Sequence, residues 1–197
     1  MYKRKDTFYT KAKKEGYRSR AAYKLIELAG REKAVLPGDF VIDAGAAPGG
    51  WSQVLLEIVG KKGKVAAVDI LPMDPLPGEN FRFFPRDLTD NTLPSEIAAF
   101  FGRKADAILS DAAPNTTGIP FADQARSADL VRALMVLARE TLRNGGTLLA
   151  KIFEGSEAGD VVKELRPSFG NVRRIRPVAT RKESFELYLL ARKYREA

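Results

Sequence analysis

With 197 residues, 45% of them hydrophobic and 29% charged, and a formal net charge of +8, the chain has the composition of one soluble globular domain. It contains neither cysteine nor histidine, which excludes disulfides, thiol nucleophiles, histidine-based dyads and the usual zinc sites, so no metal is expected. No apolar run approaches the roughly 18 residues needed to span a bilayer, and the N-terminus lacks the apolar core of a signal peptide, which makes the cytoplasm the expected location.

The first 18 residues form a basic leader, which we predict binds a polyanion. Residues 1–20 contain eight lysines and arginines but only two acidic residues, and aromatic residues are interleaved with them. A second stretch, residues 171–182, is basic and contains no acid. One such cluster often only aids solubility, but two with aromatics favour nucleic acid, where cations contact phosphates and rings stack on unpaired bases. The predicted contacts in the leader are Lys3, Arg4, Lys5, Lys11, Lys13, Lys14, Arg18 and Arg20.

Residues 19–197 contain alternating helix-like and strand-like segments and are predicted to form one domain. Ser19 is expected to cap a helix that ends near Ala29. Further helices are predicted over residues 49–59, 93–101, 122–142 and 156–166. Strands are predicted over residues 39–44, 64–70, 81–87, 105–111, 146–153, 171–178 and 184–193.

Short apolar strands separated by helices predict an α/β fold with a mostly parallel, seven-stranded sheet and helices on both faces. No helix separates the last two strands, so they are expected to pair antiparallel at one edge. In such sheets ligands bind beyond the carboxyl ends of the strands. A single acid there is more often a turn or helix cap, but a converging set predicts a binding site. The polar residues at or near those ends are Asp43, Asp69, Asp87, Asp111 and Lys151.

A glycine-rich turn of the kind that holds nucleotides lies in the stretch VIDAGAAPGGWSQ, residues 41–53. It is not a phosphate-binding P-loop, because Trp51 stands where that motif requires lysine. It is not a dinucleotide fingerprint either, because two alanines follow its first glycine. The pair Gly49 and Gly50 is expected to let the backbone approach a different nucleotide-like ligand.

The acids at the strand ends suggest which ligand this is. Asp69, which ends the second strand, suits the two hydroxyls of a ribose, and Asp87 lies where an adenine amino group can be recognised. Adenosine without a phosphate-binding lysine points to S-adenosylmethionine, and therefore to a methyltransferase.

The type of methylation is narrowed by what the chain lacks. Without cysteine, pyrimidine C5 methylation has no nucleophile, and the loop after the fourth strand lacks the Asn/Asp-Pro-Pro motif of exocyclic amine methylation. A lysine-based site remains, since the apolar neighbours of Lys151 would favour its neutral amine. Taken alone, however, a lysine at a strand end more often only reaches out to water.

Six segments, in this order and spacing, resemble the FtsJ/RrmJ family of RNA 2′-O-ribose methyltransferases. They are SRAAYKLIEL, DAGAAPGGWSQ, DILPMDPLPG, SDAAPNTTG, LLAKIFEG and SFELYLLARK. The resemblance extends from about Lys11 to Lys193 and is closest to stand-alone bacterial and archaeal members that modify large-subunit ribosomal RNA. It implies a Rossmann-like, S-adenosylmethionine-dependent fold and in-line 2′-O-methylation of a nucleotide in that RNA, with uridine as the expected target.

The resemblance also implies roles for individual residues. The family's Lys-Asp-Lys-Glu tetrad corresponds to Lys24, Asp111, Lys151 and Glu186, with Lys151 as the base or the group that stabilises the forming alkoxide. Glu183 is a nearby rival of Glu186, but strand alternation separates Glu186 from the apolar face. The residues implied to bind S-adenosylmethionine are Asp43, Gly45, Pro48, Gly49, Gly50, Trp51, Asp69, Asp87 and Asp111.

Several alternatives stay open at this stage. The substrate could be a tRNA, or the chain could be a non-catalytic ribosome assembly factor on the same scaffold. A small-molecule methyltransferase is a weaker alternative, because it would not need the basic leader. Trp51 could equally be a core residue. The chain is expected to act as a monomer, with ribosomal RNA as its partner and no membrane.

Overall fold

The computed structural model describes residues 7–180 and 184–196. Its helices are α1 (Thr7–Glu15), α2 (Ala22–Glu32), α3 (Gly50–Val59), α4 (Leu93–Phe101), α5 (Pro120–Thr141) and α6 (Ser156–Leu165). Its strands are β1 (Phe40–Ala44), β2 (Lys64–Asp69), β3 (Phe81–Pro85), β4 (Ala105–Ser110), β5 (Leu142–Phe153), β6 (Phe169–Ile175) and β7 (Glu186–Tyr194). Across the described ranges, no helix is both long and apolar enough to cross a bilayer.

The strands form one seven-stranded sheet in the order β3-β2-β1-β4-β5-β7-β6. The pairs from β3 to β5 are parallel, whereas β7 pairs antiparallel with both β5 and β6. The predicted α/β fold, mostly parallel with antiparallel pairing at one edge, is confirmed. The chain runs outward from β1 to β3 and then returns to β4 beside β1. Ligand crevices form at such a reversal of strand order, outside the carboxyl ends of the strands.

Alternating residues of the strands supply two cores, one on each face of the sheet. Ile42 and Ile108 belong to the core beneath α4, α5 and α6, while Val41 and Leu109 belong to the core beneath α2 and α3. This period of two is the pleat of a strand buried on both faces. The faces are therefore reserved for packing, and polar side chains are left for the strand ends.

The leader and the first helix differ from the sequence prediction. The leader contains helix α1, which packs through Ala12 against Tyr23 and Ala179. Ser19 does not cap α2, which begins at Ala22 without a side-chain cap. The hydroxyl of Ser19 instead lies where a Cβ on residue 50 would be, 2.2 Å away, so this serine packs on the glycine-rich turn.

Three other element boundaries are also corrected. Strand β5 follows α5 directly and begins at Leu142, which pairs with Ala105, rather than at residue 146. Strand β6 covers 169–175 rather than 171–178, and the proline that follows at 177 has no N–H to donate to a ladder. Strand β3 ends at Pro85, so Asp87 lies in the loop beyond the strand.

Candidate active site

The glycine-rich turn between β1 and α3 brings two loops into direct contact. Gly45 has a φ of +75°, and a Cβ there would lie 2.5 Å from the Cβ of Ala112 in the loop after β4. Only glycine satisfies both the left-handed backbone and this close approach. The turn and the loop after β4 therefore form adjoining walls at the strand-order reversal.

The glycine pair of the turn packs against other segments of the chain, a contact that the sequence did not predict. A Cβ on Gly49, whose φ is +107°, would lie 2.9 Å from both the Arg18 guanidinium and the Met73 sulfur. A Cβ on Gly50 would meet Ser19. Both glycines thus admit the segment before α2, and their contact with a cofactor stays a prediction.

Asp43 lies in the interior beneath this turn. It is 1% exposed, and the Ser52 hydroxyl donates to its Oδ2 at 2.6 Å. Its Oδ1 has no hydrogen-bond partner in the described part of the chain. Burial raises its pKa from 3.8 to about 7, against the opposing hydrogen bond from Ser52 and with a smaller contribution from the Asp111 and Asp69 carboxylates. Asp43 therefore links the end of β1 to α3 through Ser52, and so holds the two ends of the turn together.

A cleft of about 610 Å³ opens beyond the carboxyl ends of β1, β2 and β4. Apolar side chains such as Leu71 and Leu130 line it together with carboxylates. The predicted cofactor residues that line it are Gly45, Asp69, Asp87 and Asp111.

Two of these carboxylates are held by backbone N–H groups. Asp69 accepts from Ala47 N–H at 2.9 Å and from Leu71 N–H at 2.8 Å, which fixes both of its oxygens at the cleft. Asp87 accepts from the hydroxyl and the backbone N–H of Thr89, and these bonds lower its pKa. Both groups keep lone pairs that can accept from a ligand hydroxyl or amine.

The predicted tetrad assembles at the rim of the cleft as a closed ring of alternating charges. Lys24 Nζ lies 2.8 Å from Glu186 Oε2 and 3.6 Å from Asp111 Oδ1. Lys151 Nζ lies 3.2 Å from Asp111 Oδ1 and 3.8 Å from Glu186 Oε1, and it donates to the Asp111 backbone oxygen at 2.6 Å. The lysine side chains are only 10% and 6% exposed. Each cation is thus neutralised by both carboxylates.

Long-range packing builds this ring from four elements. Lys24 comes from α2, Asp111 follows β4, Lys151 lies in β5 and Glu186 begins β7. Burial raises the pKa of Glu186, but the neighbouring ammonium groups of Lys151 and Lys24 outweigh it, so that the net shift is downward. Glu186 is therefore an anion at neutral pH. Glu183, its rival in the sequence, lies outside the described residues.

Tyr188 completes the site and was missed as a functional residue by sequence reasoning. Its hydroxyl donates to Asp111 Oδ1, and it pairs with Lys151 across β5 and β7. Burial, and then the Asp111 carboxylate, raises the pKa of Tyr188 well above its ordinary value, so the phenol stays protonated and acts as a donor. The one available signal was strand alternation, which puts it on the same face of β7 as Glu186.

Trp51 lies behind this arrangement and not among the residues that line the cleft. Its ring stacks on that of Tyr188, with centroids 5.9 Å apart, and its indole N–H donates to Ala21 O at 2.9 Å. Pro48, preceded by a cis peptide bond, offers its carbonyl to Arg18 at 3.3 Å. In the structure, both residues hold the turn against the segment before α2.

The predicted nucleic-acid contacts fall into two groups. Arg18 donates to the backbone oxygens of Asp74 and Pro75, and Arg20 donates to Ala179 O. Both arginines therefore link the segment before α2 to distant parts of the chain. Lys11 lies 4.7 Å from the centre of the Tyr23 ring and 3.9 Å from Glu15. Lys13 and Lys14 are exposed at the end of α1. Lys3, Arg4 and Lys5 lie outside the described residues.

The arrangement combines an acid-rich cleft with Lys151, whose ammonium group contacts two carboxylates and one backbone carbonyl oxygen. Asp111 belongs to both, since it lines the cleft and contacts both lysines. A ligand in the cleft and a second reactant at the ring would therefore meet beside Asp111. Such a juxtaposition suits group transfer with proton removal by a lysine.

Comparisons with known proteins agree with this geometry. The ribosomal RNA large subunit methyltransferase E of Methanothermobacter thermautotrophicus is 44% identical over 193 residues, which span 98% of this chain and 92% of the relative. The enzyme of that name from Marinobacter nauticus is 43% identical with the same coverage. Among solved structures, a ribosomal RNA methyltransferase from Plasmodium falciparum superposes with a TM-score of 0.81 at 29% identity, over 92% of this chain and 100% of that one. Residues 17–194 match the FtsJ-like methyltransferase family, to which the chain therefore belongs.

Proposed function

We propose that the chain transfers a methyl group from S-adenosylmethionine to the ribose 2′-oxygen of a uridine in large-subunit ribosomal RNA. The observation that carries the proposal is the ring of Lys24, Asp111, Lys151 and Glu186 beside the cleft. A sugar hydroxyl is a weak nucleophile, and this site offers amines that are held in position by two carboxylates.

The chemistry of the cleft fits S-adenosylmethionine better than a nucleotide that carries phosphates. Asp69, Asp87 and Asp111 bring three carboxylates to it, and its lining arginines are already engaged, Arg86 with Glu96 at 3.0 Å and Arg126 with Asn115 O at 3.3 Å. When bound, S-adenosylmethionine supplies an electrophilic methyl group on a sulfonium that leaves as a neutral thioether. Asp69 would hold the ribose hydroxyls, Asp87 the adenine amino group, and Asp111 the methionine end near the positive sulfur.

The ring would perform the proton transfer. Lys151 acts as a base only from its neutral amine form, after its ammonium has released a proton to solvent. Its Nζ then accepts the 2′-hydroxyl proton as the oxygen attacks the methyl carbon, and the resulting ammonium is stabilised by Asp111 and Glu186. Lys24, held by Glu186 at 2.8 Å, positions the nucleotide. Tyr188 fixes the orientation of Asp111 through its hydroxyl. All four ring residues come from one chain, so the ring is complete within a monomer.

The RNA partner is supported by the names of the relatives and by the basic leader. The relatives described above are named for the ribosomal large subunit, and they match nearly the whole chain. Lys13 and Lys14 are exposed on α1, which packs through Ala12 against Tyr23, the residue before Lys24 on α2. Phosphates held by these lysines would therefore lie on a helix that adjoins the one carrying Lys24.

The test uses purified protein and labelled S-adenosylmethionine with tRNA, naked large-subunit rRNA and undermethylated 50S subunits in separate reactions. Products are digested to nucleosides and identified, and Lys151→Ala is purified in parallel to exclude a contaminating methyltransferase. We expect 2′-O-methyluridine from rRNA or 50S subunits, absent with Lys151→Ala. Label in tRNA alone would assign a tRNA substrate. Tight binding of cofactor and RNA without transfer would instead indicate an assembly factor.

A further inference from the structure

A second cavity, of about 400 Å³, adjoins the tetrad at Glu186. It opens between the start of α5, the end of β5 and the start of β7. Its lining includes Glu186 of the ring but not Asp111, whereas the cofactor cleft is lined by Asp111 but not Glu186. The tetrad therefore lies between two cavities and presents one carboxylate to each.

The loop after β4 separates these cavities. Residues 111–115 line the cofactor cleft, and Thr116 and Gly118 of the same loop line the second cavity together with Pro120, the first residue of α5. The loop is held in shape by Asp123, whose carboxylate accepts from the backbone N–H groups of Thr117 and Gly118 at 2.7 and 3.1 Å. The loop is thus a fixed wall between two cavities, and both cavities reach the tetrad. This arrangement is expected when two reactants occupy separate cavities and react at the tetrad.

The lining of the second cavity suits a flat, polar-edged ligand. Phe153 is half-buried at the end of β5, and Phe185 is 74% exposed, an unusual position for a large aromatic residue without a ligand. Rings of this kind stack on unpaired bases.

Gln124, on the first turns of α5, is the polar counterpart of these rings. Its amide lies where a Cβ on residue 155 would be, 2.2 Å from that position, so Gly155 makes room for it. Among the described residues this amide forms no hydrogen bond, and it lines the cavity half-buried. A free amide offers one donor and one acceptor together, which matches the paired donor and acceptor groups on the edge of a base.

We propose that this cavity receives the base of the nucleotide whose 2′-hydroxyl is methylated, with Phe185 stacking on the base and Gln124 hydrogen-bonding its edge. The inference rests on the proposed function and specifies its acceptor site. A base held there lies on the Glu186 side of the ring, which brings its ribose to Lys151 opposite the methyl donor.

The test compares Phe185→Ala and Gln124→Leu with Phe121→Ala. Phe121 is a matched control because it is 70% exposed on the first turn of α5 but does not line the cavity. Two quantities are measured for each protein: kcat/KM with undermethylated 50S subunits, and the dissociation constant of a uridine-containing oligoribonucleotide in saturating S-adenosylhomocysteine. S-adenosylhomocysteine affinity serves as the readout of the cofactor cleft.

We expect Phe185→Ala and Gln124→Leu each to lower kcat/KM and RNA affinity about tenfold, since stacking or a base-edge contact is worth that much. S-adenosylhomocysteine affinity should stay within about twofold, because the cofactor cleft is untouched, and Phe121→Ala should match the wild type. Phe185→Ala and Gln124→Leu behaving like Phe121→Ala in both measurements would overturn the proposal. If the wild type transfers no methyl group to RNA, the proposed function fails, and RNA affinity alone then decides whether the cavity binds a base.

Discussion

The molecule carries positive charge in two different ways, at the rim of the sheet and on the leader helix. At the rim, Lys24 and Lys151 are buried, and each lies within 4 Å of two carboxylates. On α1, Lys13 and Lys14 are exposed, and among the described residues neither has an ion-pair partner. Buried, paired charges fix positions and are little affected by salt, whereas exposed, unpaired lysines attract phosphates over a distance and are screened. The first pair suits chemistry and the second suits capture of RNA.

Among substitutions that keep both lysines of the ring, removing one of its anions should have the largest effect. Glu186→Gln keeps the shape of the side chain but leaves Lys24 and Lys151 with one carboxylate between them, so we expect kcat to fall about 100-fold through misplacement of both amines. Glu164→Gln is the control, because it removes an ion pair with Arg132 at 2.9 Å away from the rim. Single-turnover methylation of 50S subunits measures the effect. A Glu186→Gln rate equal to that of the control would show that the ring is not required.

Removing the exposed lysines of α1 should act on binding alone. For Lys13→Ala/Lys14→Ala we expect RNA affinity to fall about tenfold at low salt, with a log–log salt dependence shallower by about 1 to 2, because each lost phosphate contact releases one counterion fewer. Lys61→Ala/Lys62→Ala is the matched pair, since these exposed lysines precede the amino end of β2, whereas the cleft opens beyond the carboxyl ends of the strands. Equal salt dependence in both double variants would remove α1 from the RNA surface.

Tyr188→Phe should produce a smaller change at the rim. The variant keeps the ring that packs on Trp51 and loses only the hydroxyl that donates to Asp111. A hydrogen bond to a charged group is worth about 1.5–3 kcal/mol, so we expect kcat to fall about tenfold or somewhat more, with little change in KM for RNA. Tyr194→Phe is the control, because Tyr194 is a buried tyrosine of the same strand whose ring packs at a tilt against that of Phe169. Identical kcat values for the two variants would remove Tyr188 from the site.

The smallest effect on activity and a distinct effect on stability are expected at Asp43. Its folded-state pKa of about 7 lies above the ordinary 3.8, so its contribution to stability is full below about pH 4 and is lost as the pH rises through 7. Asp43→Asn cannot ionise, and its stability relative to wild type should rise between pH 4 and 7 by on the order of 1–4 kcal/mol. Denaturant unfolding at several pH values measures this.

Asp106 provides a control of opposite sign for that experiment. Burial raises the pKa of Asp106, but hydrogen bonds from Arg103, Phe40 N–H and Arg143 outweigh it and lower the pKa below its ordinary value. Its stabilising contribution is therefore present above about pH 4 and is lost as the pH falls through the folded-state value. Asp106→Asn should be destabilised at neutral pH and approach the wild type in acid. Parallel pH profiles for the two variants would contradict both assignments.

Most of the fold could be predicted because it depends on local patterns. The apolar strands and the breaks between them indicated all the strands of the sheet, and α4 was predicted at its observed bounds. The errors occur where tertiary contacts override local signals. Ser19 has the chemistry of a helix cap but packs on Gly50, and β5 extends back to Leu142 because it pairs there with Ala105.

The site was predictable only in part, for the same reason. Strand ends indicated Asp111 and Lys151. Lys24 and Glu186 were found through the family resemblance, and alternation served only to prefer Glu186 over Glu183. Tyr188 donates to Asp111, and Arg18 donates to backbone oxygens of the loop at residues 74–75. Both sets of hydrogen bonds join segments that are distant in the sequence. No period in the sequence encodes such contacts.

The most direct test of the central claim, that Lys151 accepts the proton while Lys24 only positions, compares Lys151→Arg with Lys24→Arg. Both keep a positive charge in the ring, but arginine cannot serve as a base. Single-turnover rates are measured with saturating S-adenosylmethionine. We expect Lys151→Arg to lose about 10²- to 10⁴-fold in rate, and Lys24→Arg to stay within about tenfold of wild type. A Lys151→Arg enzyme that keeps the wild-type rate would contradict the assignment of Lys151 as the base.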